Sequence, residues 1–130
     1  MKNSKSQAKQ IVTLVLVCMH KHFRTILYKS NNIRVEQCDS KGLIYLFWRN
    51  EEIELSVCAF LALRSKLKSV DIIAMLDVEH PGVELINLAC IDRIWLLDIF
   101  DVLHLQEANN HALAMLEINS YIHTALERNF

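Results

Sequence analysis

The sequence predicts an α+β fold in one domain over residues 1–130: small antiparallel sheets with an N-terminal helix, a middle helix and a long C-terminal helix. Two observations carry most of this. Between residues 24 and 55, short apolar runs alternate with turn-forming residues at hairpin spacing. Residues 57–69 and 105–128 carry apolar side chains at helical spacing instead. A third observation bounds the class: 52% of the residues are hydrophobic and the net charge is −1, with two Gly and one Pro in 130 residues. A disordered chain needs low hydrophobicity and high net charge, so a packed core is expected.

In chain order, residues 1–10 are polar, and Ser4 or Ser6 can cap a helix. Residues 11–19 are apolar all round and rich in β-branched side chains, so helix and strand compete there; a helix over residues 6–20 is expected. Residues 24–29, 33–38, 43–48 and 51–55 read as four strands separated by KSNN, DSKG and RNE, with Gly42 suited to the left-handed position after a type I turn. Ile33 and Val35 alternate with Arg34 and Glu36, and Ile53 and Leu55 with Glu52 and Glu54, as strands with one wet face do. Residues 43–48 are apolar on both faces, which places them centrally. Ser56 caps a helix over residues 57–69, with Leu55 and Phe60 spaced for a hydrophobic staple and Phe60, Leu63, Leu67 and Val70 as its buried stripe. Residues 71–78 form a short helix or strand, and EHPG at residues 79–82 is a strong breaker. Residues 83–88 and 93–99 read as strands. The helix over residues 105–128 sets Ala108, Ala112, Met115, Ile118, Ile122 and Ala125 along one face.

An offset of fifty residues aligns the two halves without a gap. Ile33 and Val35 match Val83 and Leu85, residues 44–47 match 94–97, Ile53 and Leu55 match Leu103 and Leu105, and Ala62 and Leu63 match Ala112 and Leu113. Arg93 against Leu43 and Glu117 against Leu67 depart from it. The pattern implies two β–β–(β)–α units, over residues 31–70 and 81–128, sharing one core. The competing reading is that any two sheet-then-helix stretches look alike.

The stretch from residue 33 to residue 67 runs strand, Cys38-containing turn, YLFWRNEEIELS, then helix. In this it resembles a family of small uncharacterised bacterial α+β proteins, of unknown function, that have a short sheet followed by a helix. The resemblance covers about a quarter of the chain. It implies the fold class and no activity. The family can carry paired thiols before the sheet; around Cys38 this chain has one.

Cys18, Cys38, Cys58 and Cys90 form no CxxC pair, and so apolar a core needs no disulfide staples; reduced thiols in a cytoplasmic setting are expected. Residues 11–19 are too short to span a bilayer, so no transmembrane segment is expected. Lys2, Lys5 and Lys9 before this run imitate a signal peptide. However, His20, Lys21 and His22 stand where a small-residue cleavage site belongs, and Val17 precedes Cys18 where a lipoprotein needs a small residue. Charge is uneven: residues 1–35 hold seven Lys or Arg and no acid, whereas residues 36–130 hold seven basic and all fifteen acidic residues. Such a basic segment can serve nucleic acid or anionic lipid, but packing against the acidic body of its own or a neighbouring chain is the favoured reading.

VCMHKHF at residues 17–23 spaces Cys18, His20 and His22 two apart. On a strand all three share one face; on a helix Cys18 and His22 do. Zinc takes four ligands near a tetrahedron, and the hairpin around KSNN can return Cys38 as the fourth, although the spacing is not a standard one. Cys58, near the start of the middle helix, sits where a helix dipole lowers a thiol pKa, yet its alignment with Ala108 reads better as a small core residue. Glu51, Glu52 and Glu54 fit a solvated turn, and Asp92, Asp98 and Asp101 fit strand-edge charges. With Gly42 and Gly82 the only glycines, a Gly-rich phosphate loop is excluded. Nucleic acid lacks support, since Phe23 and Tyr28 are the sole aromatics in the basic segment. No catalytic residue or cofactor site emerges. The expectation is a non-catalytic protein-interaction module, self-associating as a homodimer through a surface that includes Trp48, Trp95 or the outer face of the last helix. A basic segment for an anionic partner, or a zinc site at Cys18, His20, His22 and Cys38, is the alternative.

Overall fold

A computed structural model of the chain describes residues 23–88 and 91–129. The expected helix over residues 6–20 lies outside them. The architecture is α+β: a four-stranded antiparallel meander in the order β1 (Thr25–Lys29), β2 (Ile33–Cys38), β3 (Leu43–Trp48) and β4 (Glu51–Ser56), then α1 (Val57–Lys68) and the short α2 (Ile72–Met75). A separate hairpin of β5 (Val83–Leu88) and β6 (Arg93–Asp98) follows, and the 31-residue α3 (Ile99–Asn129) closes the described chain. The doubly apolar strand β3 does sit between two neighbours, pairing with β2 and β4.

One face of the meander is the floor of the core. Ile33 and Val35 of β2, Ile44, Leu46 and Trp48 of β3, and Ile53 and Leu55 of β4 are buried there, as the period of two requires. α1 covers the β3–β4 side with Phe60, Leu63 and Leu67, and α3 crosses β1 and β2 with Leu105, Ala108 and Ala112. A bulge between Ile26 and Tyr28 turns Leu27 into the core while leaving Tyr28 beside His111 of α3, ring centroids 5.3 Å apart. The second hairpin contributes Ile86, Leu88, Trp95 and Leu97 from its inner face.

The two hairpins have the same bounds and register at an offset of fifty residues. Ile33 pairs with Trp48 and Cys38 with Leu43; likewise Val83 pairs with Asp98 and Leu88 with Arg93. Both turns end on a left-handed residue just before the second strand, Gly42 with φ of 63° and Asp92 with φ of 52°. The hairpins nevertheless bury opposite faces, since Val35, Ile44 and Leu46 are in the core whereas Leu85, Ile94 and Leu96 are exposed, and after them the halves part further. Glu51–Ser56 is a strand, whereas residues 101–106 are helical.

That divergence corrects the expected start of the last helix, which begins at Ile99 rather than at residue 105. Asp98 and Asp101 are the cause. The Asp98 carboxylate accepts the Asp101 backbone N–H (2.8 Å), and the Asp101 carboxylate accepts the Asp98 N–H (3.1 Å). This reciprocal pair stops β6 and starts α3, so these acids are helix caps and not strand-edge charges. Ser56 does the equivalent for α1, accepting from Ala59 N–H at 3.1 Å. Asp98→Ala is expected to lower the unfolding free energy by about 1 kcal/mol, the usual cost of losing an N-cap. A urea melt reads this; no loss would show that the α3 start is fixed by packing alone.

Candidate interaction surface

The outer face of the meander is polar by residue type but stitched shut. Its cross-strand rows place Arg34 beside Phe47 and Phe47 beside Glu52, and Glu36 beside Tyr45 and Tyr45 beside Glu54. The Arg24 guanidinium lies 3.6 Å over the Tyr45 ring and bonds Glu52 at 2.6 Å; Arg34 lies 4.1 Å over Phe47 and bonds Glu36 at 3.0 Å. Stacked guanidinium shields the rings while its charge is paired. Burial works to lower the Arg24 guanidinium pKa, but the hydrogen bond and charge of Glu52, with Tyr45 and Glu36 behind it, hold it above its ordinary value. Arg24 and Arg34 of the basic segment thus lie against acids of their own chain.

Cys38 is buried on this same outer face, apart from the core cluster. Its Sγ is 3.4 Å from Ser40 Oγ. That hydrogen bond, with help from Lys41 and the Arg24 charge, holds the thiol pKa below its ordinary value against the upward push of burial. A folded pKa below the unfolded one adds stability that is full above the unfolded value and is lost as pH falls through the folded one. Relative to Cys38→Ser, the wild-type protein should therefore gain stability as the pH is raised through the thiol range. Parallel urea-melt profiles for the two proteins would contradict this.

The small hairpin presents the opposite surface. Its two edges are plugged by cations: the Arg49 guanidinium donates to Leu96 O (3.1 Å) on the β6 side, and Lys66 Nζ donates to Asn87 O on the β5 side. Arg49 also bonds Asp101 Oδ2 at 2.7 Å, and its guanidinium lies 4.0 Å over the Trp48 ring. It does so from a left-handed backbone (φ of 52°) in the β3–β4 turn, a conformation costly for arginine. Edge plugging of this kind discourages strand addition. The hairpin's outer face, by contrast, is bare. Leu85 and Leu96 are cross-strand partners, Ile94 lies two residues before Leu96 on the same face, and Phe100 and Leu103 follow on the first turns of α3; all five are exposed. A second exposed stripe, Ile118, Tyr121, Ile122 and Leu126, runs along the last turns of α3, where the expected buried face continues past the core.

The chain matches no family model, no curated protein and no solved structure. Its own geometry therefore carries the functional reading. Trp48 and Trp95, named among the expected contributors to a shared surface, are buried edge-to-face on each other, centroids 5.0 Å apart, and join the meander to the hairpin. Cys58 is exposed rather than a small core residue, because the buried side of α1 is set by Ala59, Phe60, Leu63 and Leu67. Glu51 and Glu52 pair with Arg93 and Arg24. Cys18, His20, His22 and Cys90 lie outside the described residues; of the zinc set only Cys38 is within them. Among the described residues no three His, Cys, Asp or Glu side chains are grouped as a metal ion would need, and no helix is long and apolar enough to cross a membrane.

Proposed function

We propose that this chain is a non-catalytic protein-interaction module that self-associates as a homodimer, face to face, through the outer surface of the β5–β6 hairpin and the start of α3. The observation that supports this reading is the set of exposed apolar side chains: Leu85, Ile94 and Leu96 on one face of the hairpin, and Phe100 and Leu103 on the first turns of the helix that follows it. Monomeric proteins rarely leave patches beyond a few hundred Å² bare, and those they do leave are often functional. The plugged strand edges favour a face over an edge, and a second copy supplies an apolar face of the same chemistry and size, as a two-fold interface requires. The proposed setting is the cytoplasm, where an unpaired thiol such as the exposed Cys58 persists. Light scattering across a dilution series tests the proposal. The expected result is a mass near twice 15.1 kDa that falls on dilution; a 15.1 kDa species at every concentration would sink the homodimer.

A further inference from the structure

We infer that the cavity between α1 and α3 is a binding site for a small oxyanion, held by Arg64, Lys68 and Asn109. Arg64 and Lys68 stand one turn apart on α1, and Gln106, Asn109 and Asn110 form one turn of α3; together with Leu67 they line a cavity of ≈ 200 Å³. Among the described residues Asn109 is the one buried polar side chain, 3% exposed, and both its amide nitrogen and its amide oxygen are buried with no partner, as is Nε of Arg64. Buried polar groups are almost always hydrogen-bonded, so three orphaned atoms on two residues lining one cavity are groups that an occupant would satisfy once these side chains turn toward it. Gln106 is already committed to the wall, donating to Leu67 O at 2.8 Å.

The chemistry of the lining selects the occupant. It carries two formal positive charges and no Asp or Glu. The end of α1 adds a partial negative charge of about one half, too little to cancel them. The guanidinium and ammonium only donate hydrogen bonds, and the Asn109 amide offers donors and one acceptor. An oxyanion that keeps a proton, as hydrogen phosphate does, satisfies both sides: its oxygens accept from Arg64, Lys68 and the amide nitrogen, and its O–H donates to the amide oxygen. Size points the same way. Pockets for larger organic ligands run to about 300–1,000 Å³, and this one is smaller. A water takes about 30 Å³ of liquid, so several waters are the competing occupants.

The test is thermal unfolding of the full chain titrated with inorganic phosphate at constant ionic strength, alongside the Asn109 side-chain amide signal in ¹⁵N NMR. The melting temperature should climb with phosphate and the Asn109 signal should move with it, while Arg64→Gln and Lys68→Gln, each removing one positive charge from the site, weaken the response about tenfold or more. Asn109→Leu should fold, melt higher without phosphate because an unpaired amide is gone, and show no phosphate response. If phosphate leaves the Asn109 signal unmoved, or shifts wild type and Arg64→Gln alike, the cavity holds only water and the proposal falls.

Discussion

Replacing Trp95 with alanine is expected to lower the unfolding free energy by about 3–5 kcal/mol, the range for emptying a large aromatic site in a core. Trp95 of β6 and Trp48 of β3 are both buried, and their rings meet edge-on at 64°. A two-stranded hairpin is marginal on its own, so β5 and β6 depend on this seam to stay docked on the meander. Against a typical total of about 5–15 kcal/mol, the loss is large enough to move a urea midpoint far to the left. Combining it with Trp48→Ala should return a coupling of about 0.5–1.5 kcal/mol, the share that belongs to the ring pair rather than to burial. A loss below about 1 kcal/mol for Trp95→Ala would mean that the indole is not seated as described.

Phe100→Glu is expected to raise the dissociation constant of the proposed homodimer by roughly one and a half to three orders of magnitude. Phe100 is 70% exposed, so most of its apolar area is available for burial on association. Full burial of a Phe stabilises by about 1.5–3 kcal/mol, and about two-thirds of this, counted once per subunit, gives roughly 2–4 kcal/mol. The variant spares the monomer. Phe100 lies in the first turn of α3, where a carboxylate interacts favourably with the helix dipole. A dimer that persists in Phe100→Glu, with its midpoint of dissociation unmoved, would remove this face from the interface.

Much of the fold was legible because local chemistry and tertiary packing agree. β2, β3 and β5 fall on the residues read from alternation and turns, since DSKG and the flanking apolar runs leave few other registers. The start of α3 was not legible. Leu96, Leu97, Ile99 and Phe100 suit a strand as well as a helix, and the reciprocal Asp98–Asp101 bonds that decide between them look in sequence like two scattered acids. That Trp48 and Trp95 bury against each other was not legible either, because alternation along a strand does not say which face another layer will cover. The cavity residues were missed for a different reason. Arg64, Lys68 and Asn110 look like any wet helix positions, and the one signal was Asn109, which falls four residues after Leu105 and three before Ala112, on the buried stripe. A polar residue in that place is the mark to look for.

Helix α3 crossing β1 and β2 has a consequence for the order in which the molecule assembles. The meander strands are joined by turns of a few residues, but the Tyr28–His111 contact bridges about eighty residues of chain. Closing a loop of that length costs roughly 2–3 kcal/mol more in chain entropy than closing a turn. The meander and α1 have compact local contacts that repay their ordering early, whereas α3 must wait for a finished floor to dock on. Its exposed last turns gain nothing from that docking. The topology therefore makes α3 on β1 the late step of folding, and the same seam the first to part when the chain opens.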